Sequence, residues 1–200
     1  RAEAEDAVRS GAGHLVLTDQ HQSAGRVAMP MILATSAVHC WLTRKGLRTF
    51  CSVNVRAAEC IDPHYFAVLI GCGATTVNAY LAQDSIADRV RRGLVEGSLL
   101  DATRRYRDAI DAGLLKIMSK MGISTYQSYC GAQIFDAIGL SDAFVEKYFT
   151  GTHTPVGGIG FFVERAANRT RDSLNPNVVL CRCVDGIGIA ASRFPGVKDP

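Results

Sequence analysis

Short apolar runs alternate with longer stretches of helical periodicity along this chain. Four runs have the length and composition of strands, at residues 14–18, 50–55, 75–80 and 123–126. Each is followed by residues that can start a helix, and this alternation is typical of parallel β/α units. We therefore expect an α/β fold with a mainly parallel sheet. Four strands are too few to close an eight-stranded barrel, so the fold would resemble an incomplete (β/α) barrel.

Proline, glycine and capping residues set the ends of the predicted helices. Pro30 starts a helix with a wide apolar stripe, which we expect to be largely buried, and Pro63 starts a short apolar helix. Asp101 is the expected N-cap of a long amphipathic helix, and Gly122 ends it. The predicted helices cover residues 1–10, 31–45, 64–71, 85–92 and 101–121.

The pattern becomes less regular after residue 150. Residues 150–160, TGTHTPVGGIG, combine a proline with several glycines and predict a turn-rich loop. The glycines at positions 157, 158 and 160 are similar to a phosphate cradle, although a lone glycine cluster has little specificity. Binding of a phosphorylated small molecule by a free-standing β/α enzyme or module is therefore an alternative function.

Composition and charge restrict the classes of function. The chain has 200 residues, is 48% hydrophobic and 20% charged, and has a formal charge of +3 without a long run of like charges. A basic nucleic-acid surface or an anionic-membrane surface is not expected. The longest apolar stretch, residues 29–42, is too short to cross a bilayer and contains His39.

The first ten residues, RAEAEDAVRS, lack the apolar core of a secretory signal and carry acids that transit peptides avoid. A cytoplasmic location is expected, or a plastid in a photosynthetic source. The absence of an initiator methionine indicates a fragment or a processed piece.

The cysteines and histidines give little indication of a metal site. Seven cysteines lie mostly within apolar runs, which predicts reduced thiols. Cys181 and Cys183 form a C-x-C pair without a second pair nearby, so structural zinc is not favoured. His39 and His64 are expected to be packed, hydrogen-bonded helix residues.

Residues 113–140, GLLKIMSKMGISTYQSYCGAQIFDAIGL, resemble a segment of the glutamate synthase large subunit almost residue for residue. Four further segments resemble the same family in the same order: LVLTDQ at 15–20, MPMILATSAVH at 29–39, GCGATTVNAYLA at 71–82 and YFTGTHTPVGGIG at 148–160. The resemblance assigns residues 1–165 to the central domain of that subunit. Residues 166–200 do not align and form an unassigned tail.

The chain departs from the family at several positions. Residues 57–65, AAECIDPHY, stand where the family has S-G-E-x-R-x-x-H-H, so an arginine and a histidine are missing. Cys72 replaces a tyrosine, and Ala79 replaces a proline. Any role of the missing side chains is absent from this chain.

The resemblance implies a reaction for the parent enzyme. Glutamine is hydrolysed at an N-terminal cysteine, ammonia passes through a tunnel, and 2-oxoglutarate is converted to glutamate at FMN, which a 3Fe-4S cluster supplies with electrons. Amidotransferase and FMN domains of the same polypeptide would be the partners, together with a small electron-donor subunit or ferredoxin. Residue 1 is Arg, and neither a cluster motif nor a flavin motif occurs, so the segment alone is expected to be inactive and to act as a scaffold.

Polar residues at the ends of predicted strands are the candidate tunnel contacts. Asp19 ends the first strand, and five residues lie at the end of the fourth, where β/α proteins place ligands. These five are Ser124, Thr125, Gln127, Ser128 and Tyr129. They can hydrogen-bond ammonia or water, or they can cap the backbone of a loop, and Asp19 has the same two interpretations.

Lys116 and Lys120 lie four residues apart on one face of the long helix. They are candidates for docking an acidic group or a neighbouring domain, which would make the chain an interaction module. A solvated helix face is the alternative. The apolar residues of the same helix, Leu114, Ile117, Met118 and Met121, are expected to be core.

Overall fold

The computed structural model describes residues 1–21 and 28–159. In the first half of the chain, strands and helices alternate. The helices are α1 Ala2–Arg9, α2 Met31–Arg44, α3 Pro63–Gly71, α4 Tyr80–Arg91, α5 Leu99–Lys120, α6 Tyr126–Tyr129 and α7 Asp142–Tyr148, with a short 3₁₀ turn at Arg48–Phe50. The strands are β1 His14–Thr18, β2 Ser52–Arg56, β3 Thr76–Asn78, β4 Asp136–Leu140 and β5 His153–Ile159.

The strands form two parallel sheets. The first has the order β1-β2-β3, and the second pairs β4 with β5. The prediction of an α/β fold with parallel strands is confirmed. The positions of the first three strands are confirmed as well, within two residues at each end.

The predicted fourth strand is wrong. Residues 123–125 form a loop, and Tyr126 begins the short helix α6. The N–H of Ile123 donates to the carbonyl oxygen of Met118 at 3.0 Å, and so it closes the end of α5 instead of joining a sheet. The strands that follow β3 along the chain are β4 and β5, which the sequence pattern did not predict.

The predicted loop at residues 150–160 is a strand over most of its length. Gly157 and Gly158 lie in β5, and Gly160 lies outside the described residues. A Cβ atom added to Gly158 would come within 2.5 Å of the carbonyl oxygen of Gly139 in β4. Gly158 therefore allows the two strands to approach closely, and Gly157 and Gly158 lie in a strand instead of the expected turn-rich loop.

The helix ends show where capping chemistry differs from the prediction. Ser98, and not Asp101, is the N-cap of α5, and its Oγ accepts from the N–H of Asp101 at 3.1 Å. Ser98 Oγ also donates to Asp101 Oδ2 at 2.6 Å, so the two side chains form a capping box. Helix α4 begins at Tyr80, five residues before the predicted start at 85.

The main core lies between the first sheet and helices α2, α3 and α7. Leu42 of α2, Val53 of β2 and Leu69 of α3 are fully buried, and Phe144 of α7 is 1% exposed. The prediction that α2 is largely buried is confirmed. The described cysteines are all free thiols, as expected.

Arg48 holds the amino ends of β2 and β3 together. Its Nε donates to His39 Nδ1 at 3.0 Å, and its Nη1 donates to the carbonyl oxygen of Cys51 at 2.6 Å. Its Nη2 donates to the carbonyl oxygen of Gly73 at 2.8 Å and to Thr75 Oγ1 at 3.3 Å. Helix α2 is thereby fixed to the loops that enter both strands.

The ring of His39 lies against the backbone at two glycines. A Cβ atom added at Gly73 would overlap the ring, and one added at Gly131 would come within 2.8 Å of its Cε1. Both glycines have a positive φ, 105° and 75°. The histidine is therefore packed and hydrogen-bonded, as predicted.

Replacing Gly73 by alanine should destabilise the chain more than the same change at Gly11. Both have a strongly positive φ, 105° and 94°, but an added Cβ at Gly11 meets nothing within 4 Å. We expect a loss of about 1 kcal/mol for Gly11→Ala from backbone strain and about 2–4 kcal/mol for Gly73→Ala, which must also displace His39. Urea denaturation of the purified variants measures both, and equal losses would contradict the packing role of the ring.

The stability of the chain should fall as the pH drops from 6.5 towards 4. Burial, and secondarily the charge of Arg48, lower the pKa of His39 to about 4. Between these pH values the unfolded chain binds a proton that the folded chain does not, so the loss is at most about 1.4 kcal/mol per pH unit, less what solvent contact screens. Above pH 6.5 the histidine contributes no pH dependence.

His39→Gln keeps a neutral acceptor for Arg48 and should flatten this pH dependence, measured as the unfolding free energy at pH 7 and pH 5. His14→Gln, at an exposed histidine, is the matched control. A slope that persists in His39→Gln and disappears in the control would contradict the assignment.

Candidate functional site

The carboxyl ends of β1, β2 and β3 meet at one edge of the first sheet. The register aligns Thr18 with Arg56 and Arg56 with Asn78, so the loops that leave the three strands lie side by side. In parallel β/α proteins this edge is where ligands bind. Asp19 directly follows Thr18, the last residue of β1, and so it lies at this edge.

Asp19 joins the end of β1 to the loop that follows β2. Its side chain is 3% exposed, and its Oδ2 accepts from the N–H of Ala58 at 2.8 Å. The carboxylate also raises the pKa of Tyr80, although burial of the phenol is the larger cause. Asp19 is therefore placed to position two loops, and its buried carboxylate is not open to solvent.

Glu59 joins the same loop to helix α2. Its Oε2 accepts from the N–H of Met31 at 3.3 Å and from the hydroxyl of Tyr65. Met31 is the first residue of α2, where unpaired N–H groups and the helix dipole favour a carboxylate. Burial, and then the charge of Glu59, raise the pKa of Tyr65, so this phenol stays protonated at neutral pH.

Arg56 lies at the more open part of this edge. Its Nη1 donates to Gln20 Oε1 at 2.6 Å, and its guanidinium lies 5.3 Å from the centre of the Tyr80 ring. The charge is thus held by one amide and one aromatic face. This is the one described part of the edge that presents a cation.

The side chains at this edge position loops and give no sign of a complete catalytic centre. Cys60 is fully buried, and burial, followed by the charges of Asp62 and Glu59, raises the pKa of its thiol, which makes it a poor nucleophile. Within residues 1–21 and 28–159, no three acidic, histidine or cysteine side chains are grouped as metal ligands. In the same part of the chain, no helix is long and apolar enough to cross a bilayer.

The five candidate residues after α5 do not lie at the end of a strand, because the predicted strand is absent. Ser124, Thr125, Gln127 and Ser128 are exposed. Thr125 Oγ1 and Ser128 Oγ are 2.6 Å apart and share a hydrogen bond, and Thr125 makes no side-chain hydrogen bond to the backbone at the start of α6. Tyr129 is 1% exposed and donates its hydroxyl to the carbonyl oxygen of Ala67 at 3.1 Å, so it fixes α6 to α3.

Lys116 and Lys120 are both exposed on α5. Neither forms an ion pair within the described residues. Met118, on the same helix, is 8% exposed, and the other three apolar residues predicted as core pack against buried clusters. The lysines are therefore available for contacts outside the described residues.

His64 differs from the expectation in one respect. Its Nε2 is buried and has no hydrogen-bond partner among the described residues. Cys181 and Cys183 lie outside the described residues, as does the proposed tail at 166–200.

The sequence reasoning missed Arg56, Glu59, Tyr65 and Tyr80. A signal for Glu59 was available, because it stands where the resembled family has the glutamate of S-G-E. Tyr80 was placed inside the third predicted strand, which hid its position at the start of α4. Arg56 lies one residue beyond the predicted second strand.

The fold and this edge together define a β/α domain whose strand-end side chains brace loops. The glutamate synthase central domain family matches residues 1–141, and the chain belongs to that family.

The chain is also similar in sequence to known glutamate synthases. The large chain of the NADPH glutamate synthase of Azospirillum brasilense is 58% identical over 161 residues, which are 80% of this chain and 11% of that protein. The corresponding large chain of Bacillus subtilis is 42% identical over 173 residues, 86% of this chain and 11% of that protein. The chloroplastic ferredoxin-dependent glutamate synthase 2 of Arabidopsis thaliana is 40% identical over 168 residues, 78% of this chain and 10% of that protein. The chain thus spans about a tenth of the length of these relatives.

Removing the Asp19 carboxylate should destabilise the chain, because the N–H of Ala58 would lose its acceptor. We expect a loss of about 1–3 kcal/mol for Asp19→Ala and a smaller loss for Asp19→Asn, whose amide oxygen can still accept. Urea denaturation provides the measurement, and Asp84→Ala, at an exposed aspartate of α4, is the control. Equal losses for Asp19→Ala and the control would rule out the bracing role.

Proposed function

We propose that this chain is a noncatalytic scaffold within a glutamate synthase. The observation that carries the proposal is the family match together with the bracing of the strand-end loops by Asp19 and Glu59. Buried carboxylates that bond to backbone N–H groups keep loops in one geometry. Such a domain is suited to hold two distant reaction centres at a fixed separation.

The parent protein would convert glutamine and 2-oxoglutarate to two molecules of glutamate. Glutamine hydrolysis would take place in an amidotransferase domain, and the reductive step would take place in an FMN domain of the same polypeptide. FMN and a 3Fe-4S cluster would belong to those other parts. Electrons would come from ferredoxin or from a small electron-donor subunit, and the compartment would be the cytoplasm, or a plastid in a photosynthetic source.

The exposed candidates are the ones that can touch ammonia or another domain. Ser124, Thr125, Gln127 and Ser128 are exposed in the loop after α5, and the two lysines are exposed on α5 itself. Asp19 and Tyr129 are buried, so their part in the proposal is to position the loops around them. We therefore assign the exposed loop to the ammonia path and Lys116 with Lys120 to contact between domains.

The full-length protein provides the test, as the amount of glutamate formed from 2-oxoglutarate for each glutamine hydrolysed. Gln127→Trp places a large side chain on the exposed loop without removing a described contact, so it should lower this ratio several-fold while glutamine hydrolysis continues. Arg104→Trp, at an exposed position of α5 on a different helix face from Lys116 and Lys120, is the control and should leave the ratio unchanged.

An unchanged ratio in Gln127→Trp would overturn the assignment of this loop to the ammonia path.

The double variant Lys116→Glu and Lys120→Glu tests the proposed contact between domains separately. It should loosen the association of the domains, seen as faster limited proteolysis between them, and an unchanged digestion pattern would exclude the lysines from that contact.

A further inference from the structure

A cleft of about 510 Å³ lies between β3, α3, α4 and α5, beside the outer strand of the first sheet. Pockets for small molecules usually have volumes of about 300–1,000 Å³. The cleft is open on one side to solvent, and Tyr126 and residues of β3 are among those that line it. Its chemistry differs between the floor and the rim.

The floor is apolar and already buried. Ile70 is 5% exposed and Ile110 is 6% exposed, while Phe66 and Leu114 are half-buried beside them. The half-buried Phe66 and Leu114 leave apolar surface that a compact apolar group can cover.

The rim carries one cation and one anion on the same helix face. Arg107 and Asp111 are four residues apart on α5, and both are exposed and line the cleft. Arg107 Nη2 lies 3.6 Å from Asp108 Oδ1, with both side chains more than 60% exposed, so that pair is weak. Asp111 forms no ion pair within the residues that the structure describes.

The hydroxyl groups of the two tyrosines that line the cleft already donate to carbonyl oxygens of the protein. The hydroxyl of Tyr106 donates to the carbonyl oxygen of Ile61 at 3.0 Å, and that of Tyr126 donates to the carbonyl oxygen of Thr75 at 2.7 Å. Their donor protons are therefore already used. The charged recognition in the cleft comes from Arg107 and Asp111.

We propose that this cleft binds a free α-amino acid with an uncharged apolar side chain. The guanidinium of Arg107 takes the α-carboxylate, Asp111 takes the α-ammonium group, and the side chain lies on the floor of Phe66, Ile70, Ile110 and Leu114. An acidic or basic side chain would have no charge partner on this floor. The proposal concerns binding alone, so it does not rest on the proposed glutamate synthase scaffold role.

Titration calorimetry of the full-length protein with L-leucine provides the test. The analogues are 4-methylpentanoate, which lacks the ammonium group, and 3-methylbutylamine, which lacks the carboxylate. Each lost charge-assisted contact should weaken binding about tenfold or more, so leucine should bind more tightly than either analogue. Lysine should bind more weakly than leucine, because its charged side chain would have no charge partner on the apolar floor of the cleft.

The variants should change this selectivity in opposite directions. Arg107→Gln should weaken leucine about tenfold and make it no better than the amine, whereas Asp111→Asn should make it no better than the carboxylic acid. Arg104→Gln, at an exposed arginine of α5 that does not line the cleft, should leave all three affinities unchanged. Leucine binding that is unaffected by both cleft variants, or absent at tens of millimolar leucine, would overturn the proposal.

Labelling within the cleft separates a ligand site from a surface that polypeptide covers. In Thr103→Cys, the new thiol lines the cleft and should react readily with iodoacetamide, and leucine should slow the reaction. Mass spectrometry of the peptide that carries residue 103 distinguishes it from the native cysteines. A thiol that is protected without leucine would show that another part of the polypeptide fills the cleft, and the proposal would fail even if the glutamate synthase role is correct.

Discussion

The guanidinium group of Arg48 is the contact on which the first sheet depends most. It bonds to groups from α2, from the residue before β2 and from the residues that lead into β3. Arginine can do this because its five N–H donors are fixed in one plane. The acceptor on α2 must be neutral, and burial keeps His39 in its neutral form. The small residue at position 73 follows from the same contact, because the ring leaves no room for a side chain there.

The two ends of the sheet are fixed by different chemistry. At the amino ends, one cation bonds to carbonyl oxygens and a ring nitrogen. At the carboxyl ends, Asp19 and Glu59 accept from backbone N–H groups of a loop and of the first turn of α2. Helix α2 is held at its first residue, Met31, by Glu59 and at His39, in its second half, by Arg48. The loops beyond the strands therefore start from fixed positions, as the proposed scaffold role requires.

Local signals in the sequence were sufficient to predict the β/α fold and the first three strands. Apolar runs, Pro30 and Pro63 determine those elements through burial and fixed backbone angles, and no distant contact is needed. The segment after α5 was wrongly predicted as a strand, because its apolar residues are compatible both with a strand and with a loop that leads into a short helix. Ile123 closes the end of α5 through a local hydrogen bond, whereas Tyr129 packs on α3 through a tertiary contact.

The strand β5 was missed for a related reason. Pro155 and the glycines at 157 and 158 favour a turn when they are considered alone. In the structure, the register of β4 with β5 shifts along the pair, and Gly158 lies directly against Gly139. Glycine is needed there for close approach between strands, which a single sequence cannot distinguish from a need for a turn.

The candidate site was predicted only in part. Asp19 directly follows a strand, so a local pattern indicates it, whereas Glu59 bonds to a helix residue 28 positions away in sequence.

One face of the first sheet is partly exposed to solvent. Parallel sheets are usually covered on both faces. Val16, Asn54 and Thr76 are aligned in register on one face, and Val16 is 63% exposed. Asn54 Nδ2 donates to the carbonyl oxygen of Leu15 at 3.2 Å, and Thr76 Oγ1 donates to Asn54 Oδ1 at 2.7 Å, so the polar groups on this face satisfy one another. Covering such a face costs less than burying unpaired polar groups. Because this chain is about a tenth of the length of its relatives, further polypeptide is available in those proteins to cover it.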